Sequence, residues 1–197
     1  MALKSRCTCS IAKKHSATQR AAFEQPFFID VSRFDTEGFR DHSAATRDTV
    51  NGKVRLNIGD DTSVTLITNY LNQPETQDPL GLTRAQMQQN REQAGTAEIA
   101  QDTRKSIENS QAGAIPETKL SSEDSIRVLG YDGKRTAQQF LALTFAGRGV
   151  VDLNRDFEGV DLRWTRQTEL AERPFTFTAG VNYIRQRFHR PAFLYLP

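Results

Sequence analysis

From residue 50 to residue 58 apolar and polar positions alternate. Val50, Gly52, Val54, Leu56 and Ile58 fall on one side of an extended chain, and Asn51, Lys53, Arg55 and Asn57 fall on the other. Gly59, Asp60 and Asp61 supply a tight turn, after which Val64, Leu66, Thr68 and Tyr70 resume the alternation, so the two segments read as a hairpin. The pattern stops after Asn72. Residues 74–102 are rich in Gln, Glu, Asp and Thr, have no period of two, and are expected to form a long loop. Within it, Thr83 followed by Gln86 has the form of a capping box and predicts a short helix from residue 84 to about residue 92.

Further along, residues 104–117 and 125–135 read as strands around a polar turn at residues 121–124, although Pro116 would cost the first of them a ladder donor. Residues 136–149 show no period and are expected to be irregular. Val160, Leu162 and Trp164 then alternate with Asp161, Arg163 and Thr165. After a turn at residues 169–173, Phe175, Phe177, Ala179, Val181 and Tyr183 alternate with Thr176, Thr178, Gly180 and Asn182.

With residues 28–34 as a first strand and residues 35–47 as the loop after it, the connections run long, short, long, short, long, short. A soluble sandwich has no reason to sort its loops in this way, whereas a transmembrane barrel has short periplasmic turns and longer extracellular loops. Strands of roughly ten residues also suit a tilted crossing of the hydrocarbon core. The expected fold is all-β: an antiparallel, up-and-down transmembrane β-barrel segment of about seven strands from a larger barrel. An ordinary soluble antiparallel sheet is the alternative.

Composition narrows the choice of partners. At 197 residues the chain makes one domain or a large piece of one. Its longest apolar runs, such as residues 140–143, fall far short of the ~18 residues a spanning helix needs. A mean hydropathy of −0.59 fits a barrel as well as a soluble sheet, because a barrel turns only alternate residues to lipid. With 26 basic against 24 acidic residues and a net charge of +2, no basic stripe suited to phosphates stands out, and nucleic acid is not an expected partner.

Candidate chemistry is sparse. Cys7 and Cys9 are separated by one residue and lie outside every predicted strand, and His15, His42 and His189 do not complete a zinc site with them, so both cysteines read as incidental. Asp152, Asn154 and Asp156 have the spacing that opens a calcium loop, but Phe157 stands where glycine is required and Arg163 where the bidentate glutamate belongs. Residues 130–136 fail as a phosphate loop, the glycines being too close and Arg135 intervening between Lys134 and Thr136. No nucleophile elbow, zincin helix or paired carboxylates suggest catalysis, and neither an enzymatic activity nor a cofactor or metal is expected.

The alternation turns Lys53, Arg55, Asp161 and Arg163 away from the apolar face. In a barrel they would line the path of an anionic or metal-chelate ligand, or hydrate the wall and face a plug, because charge pointing into lipid costs ~2–4 kcal/mol near the midplane. Tyr70, Trp164 and Tyr183 lie on the apolar face at the ends of predicted strands, where headgroup-level girdle residues belong; core aromatics of a soluble sheet would look the same.

Residues 30–43, reading Asp30, Val31, Ser32, Arg33, Phe34, Asp35, Thr36, Glu37, Gly38, Phe39, Arg40, Asp41, His42 and Ser43, resemble a strand-to-loop passage in the barrels of TonB-dependent outer-membrane receptors. The segments 72–74, 78–83, 102–105 and 159–164 look like members of that family in the same order, so the resemblance covers about residues 29–184. It implies a 22-stranded barrel filled by a separate amino-terminal plug. It further implies import of a ligand such as a ferric siderophore across the outer membrane of a Gram-negative cell, surrounded by outer-membrane lipid and driven through a TonB-type energy-coupling protein. On this reading residues 28–184 are part of such a barrel, and residues 1–27 and 185–197 are atypical flanking segments. Residues 1–25 carry basic and polar residues without an apolar export-signal core. The rival expectation, from a different class, is a soluble lipocalin-like module that closes around a small ligand with its apolar face inside.

Overall fold

The computed structural model describes residues 10–11, 26–143, 147–189 and 192–195. They form one antiparallel sheet in which strands follow one another in chain order. The strands are β1 (Ser10–Ile11), β2 (Phe27–Thr36), β3 (Ala45–Ile58), β4 (Thr62–Gln77), β5 (Arg104–Lys119), β6 (Asp124–Leu143), β7 (Gly147–Leu170), β8 (Arg173–His189) and β9 (Ala192–Tyr195). β1 makes two pairs with β2, and β9 pairs with the start of β7; β2 to β8 are the seven long up-and-down strands. Apart from β1, the expectation for residues 1–27 falls largely outside the described residues, as do Cys7, Cys9 and His15.

The register converts the sequence alternation into two unlike faces. One row, Phe27, Val54, Leu66, Ala114, Gly130, Val160 and Tyr183, crosses all seven strands without a polar side chain on its apolar face except the tyrosine hydroxyl. On the opposite face, Asn57, Ser63, Glu117, Arg127, Arg163 and Gly180 form a row across β3 to β8. Because the side-chain period is two, a slip of one residue would exchange these sets, and the apolar band therefore fixes the register. In β8 the band runs from Phe175 to Tyr183, about 27 Å of strand, or about 20 Å of height at a tilt of about 40°.

Among the described residues no hydrophobic side chain is buried. Leu66 (45%), Val160 (49%) and Leu162 (44%) all retain much of their exposure although their strands are paired on both sides. Nothing in the described chain covers the apolar face.

Short turns collect at one end. β3 and β4 join through residues 59–61, with Gly59 at φ +69°; β7 and β8 join through Ala171 and Glu172 alone, both at positive φ. At the other end lie residues 37–44 and residues 78–103, the latter carrying α1 (Arg84–Gln89) and α2 (Thr96–Gln101). The capping box is present: Thr83 accepts from the Gln86 backbone N–H, and Gln86 Oε1 accepts from the Thr83 N–H. The helix it starts ends at Gln89, short of residue 92, and α2 was not foreseen.

Residues 136–143 and 147–149 differ most from expectation. They are not irregular: β6 and β7 pair without a break from Asp124↔Arg166 to Leu143↔Gly147. The period is silent there because Thr136, Ala137, Gln138 and Gln139 place polar or small groups on both faces, so backbone pairing alone holds the strands. Strands also run further than the pattern suggests at other points. β4 passes through Pro74, accommodated by a register shift between Gln73 and Thr76, and β8 continues beyond Tyr183 to His189. Pro116 sits inside β5, where the ladder to β6 skips residues 115 and 116 and resumes in the same register at Glu117↔Arg127.

Candidate functional site

The polar face carries an ionic network near the short-turn end. Arg55 donates from Nη2 to Ser63 Oγ at 3.0 Å and approaches Glu117 at 3.8 Å; Glu117 in turn accepts from Arg127 Nε at 3.0 Å. Arg163 stands directly opposite Arg127, and its guanidinium meets Asp161 at 2.7 Å. Asn182 donates to the other oxygen of Asp161 at 3.2 Å. Each like-charged neighbour in this row is thereby matched with a carboxylate, which offsets the repulsion that two arginines facing each other across a ladder would otherwise impose. Arg55, Glu117 and Arg127 also border an open hollow of about 620 Å³ at that end.

The structure thus brings three of the four candidate wall residues into one belt: Arg55 through Ser63 and Glu117, and Asp161 directly with Arg163 and with Asn182. Lys53 shares their face but lies higher, between Phe28 and Ile67 in the register. Glu117, Arg127 and Asn182 were missed as site residues, since only the cross-strand register shows which side chains meet. Farther from the short turns, Asn51 donates to Asp30, Asn69 donates to Asn51, and Asn109 donates to Asn69 at 3.4 Å, a chain of amides across β2 to β5 on the same face.

The three aromatic candidates lie on the apolar face. They are not at strand ends: each stands inside a strand that continues past it, at the end of the apolar run. Asn72 follows Tyr70 and Arg185 follows Tyr183 on the long-loop side, while Arg166 follows Trp164 on the short-turn side. Trp164 donates from Nε1 to Asp124 Oδ1 at 2.9 Å and packs edge-on to Phe177, with ring centroids 5.8 Å apart. Its indole is therefore apolar on one side and hydrogen-bonded on the other. Beyond Tyr183 the same face turns ionic, with Asp132, Glu158 and Arg185 in one row and Lys134, Asp156 and Arg187 in the next. Arg185 reaches Glu158 at 3.4 Å.

The long connections form one packed body. Arg40 donates to the carbonyls of Leu80 (2.6 Å), Pro79 (3.1 Å) and Gln93 (2.9 Å), joining residues 37–44 to residues 78–103. His42 Nε2 lies 2.8 Å from the carbonyl of Thr103, whose own side chain is fully enclosed and donates to the Asp78 carbonyl at 2.6 Å. Among the described residues no group of three or more His, Cys, Asp or Glu side chains is placed to hold a metal ion.

No family model matches the chain. Among solved structures it is similar to the ferric citrate transporter FecA in its unliganded form, with a TM-score of 0.71 and 17% sequence identity over 83% of this chain. The match spans 24% of the length of that transporter. The described residues are all-β, and their seven antiparallel, up-and-down strands have the fold of a segment of that transporter's larger barrel, in keeping with the resemblance to TonB-dependent receptors.

Proposed function

We propose that the chain is a stretch of the wall of an outer-membrane receptor of the TonB-dependent type. The full protein imports a scarce iron-chelate ligand, of the ferric-siderophore class, using energy delivered from the inner membrane through a TonB-type coupling protein. The observation that carries this reading is the bare apolar band: seven strands present a continuous apolar row, yet no hydrophobic side chain among the described residues is buried. A soluble sheet is stabilised by covering such a face, at about 25 cal/mol per Å². A lipocalin-like module would pack Val54, Leu56, Phe175 and Phe177 inside; Leu56, Phe175 and Phe177 are instead exposed, and Val54 is only half-buried. Lipid is the medium that suits the band.

With the apolar face toward lipid, the opposite face is the lumen. Lys53, Arg55, Asp161 and Arg163 then belong to the interior wall, and Tyr70, Trp164 and Tyr183 to the two headgroup levels. The long connections and the tall β6–β7 hairpin are extracellular, and the short turns periplasmic. The ferric citrate named for the similar transporter supports an iron chelate as the ligand class. The test is accumulation of radioiron, supplied as a set of ferric chelates, in cells that carry or lack the full protein, with and without an uncoupler of the proton-motive force. Uptake that needs both the protein and the proton-motive force is expected. Uptake equal in the two strains, or indifferent to the uncoupler, would overturn the proposal.

A further inference from the structure

Arg135 and Arg155 face each other directly across the β6–β7 ladder, on the polar face. Side chains so placed have Cβ atoms about 4.5–5.5 Å apart, and like charges there repel. Unlike the Arg127–Arg163 row, this pair has no carboxylate partner among the described residues. The acids that the register puts on this face of β5 to β8 are Glu117, Asp161 and Glu169. Glu117 and Asp161 are bonded to Arg127 and Arg163, and Glu169 lies beside the short turn. Asp161, the closest of these to Arg155 along β7, is about 20 Å away at ~3.3 Å per residue.

Arg155 is nonetheless held in place. The guanidinium of Arg155 lies 5.2 Å from the Phe157 ring centroid and 6.0 Å from that of Phe188, so two aromatic faces hold the cation. Its Nε is buried and has no hydrogen-bond partner among the described residues. A buried guanidinium donor without an acceptor is costly, and a fixed fork of N–H groups fits an oxygen anion in two-point fashion.

We infer that Arg135 and Arg155 form an anion clamp on the lumen wall, above the lipid band, that receives a carboxylate or phosphate group of the incoming ligand. This rests on the reading of the polar face as a lumen. The clamp acts by charge and shape alone: an anion between the two guanidinium groups removes their repulsion and supplies the missing acceptor. The chain of amides ending at Asn109, which pairs with Arg135, continues the polar surface away from the clamp.

The test uses the full protein in detergent micelles at low salt, with citrate as the probe and inorganic phosphate as a second one. Citrate should bind and raise the unfolding midpoint of the wild type, with the gain lost as salt is added. In the double variant Arg135→Gln/Arg155→Gln, citrate affinity should fall by about tenfold or more, a loss of the size expected for two charge-assisted contacts. Lys134→Gln makes a like change of charge one residue away on the opposite face and should leave citrate binding intact. A Lys134→Gln loss equal to that of the double variant, absence of any citrate or phosphate effect on the wild type, or unchanged citrate affinity in the double variant would each overturn the clamp. Lipid exposure of Trp164, measured separately, tells failure of the clamp from failure of the lumen reading.

Discussion

The phenyl ring of Phe157 fills the space in which a Cβ on Gly133 would stand, with its Cζ against that position. The relation repeats one step along the hairpin, where the ring of Tyr131 lies 2.5 Å from the Cβ position of Gly159. Gly133 and Gly159 on the polar face of β6 and β7 thus each receive the aromatic ring opposite, in the manner of aromatic rescue. Gly133→Val should drive out the ring and cost about 1–3 kcal/mol, as overpacking does. Denaturant unfolding of the variant in micelles checks this; an unchanged midpoint would mean that the ring moves aside freely.

The turn between β7 and β8 carries local strain. Ala171 and Glu172 have φ of 52° and 62°, the conformation that a two-residue hairpin requires and that Asn-Gly accepts readily. Replacing the pair by Ala171→Asn and Glu172→Gly should stabilise the hairpin by about 0.5–1 kcal/mol. The denaturation midpoint should rise, without a change in the slope of the transition.

Arg40 holds three carbonyls of the neighbouring loop. Arg40→Ala leaves them to water and should loosen residues 78–103 by about 1–3 kcal/mol locally while leaving the sheet unchanged. Trypsin, offered Arg84 and Arg91 in that loop, should cleave several-fold faster in the variant. Equal cleavage rates would show that other contacts suffice.

Leu162 and Arg163 are sequence neighbours on opposite faces. In lipid vesicles Leu162→Arg should cost about 2–4 kcal/mol, because it places a charge in the apolar band. Arg163→Gln should cost about 1 kcal/mol or less, its side chain being 54% exposed. Urea unfolding in vesicles compares the two; equal costs would contradict the sidedness.

What the sequence disclosed follows from where lipid-like sorting operates. The faces of β3, β4, β7 and β8 were legible because Val54, Leu66, Leu162 and Val181 alternate with polar neighbours. The upper parts of β6 and β7 were not, because Thr136 and Asn154 lie beyond the apolar band and nothing selects an apolar residue on either face. Arg55, Asp161 and Arg163 could be placed on the polar face by parity alone. The partnership of Arg55 with Glu117, and the opposition of Arg135 and Arg155, depend on strand register, which no single segment encodes. The clasp of Arg40 on residues 78–103 joins two loops that carry no periodic signal.

The central claim, that the apolar face meets lipid, can be tested at one native side chain. Trp164 is the chain's single tryptophan and stands at the short-turn edge of the band. With the full protein in vesicles, its fluorescence should be quenched by brominated lipids, more by bromine near the headgroup than by bromine at the chain end, and little by aqueous iodide. Quenching by iodide with no effect of brominated lipid would contradict the account.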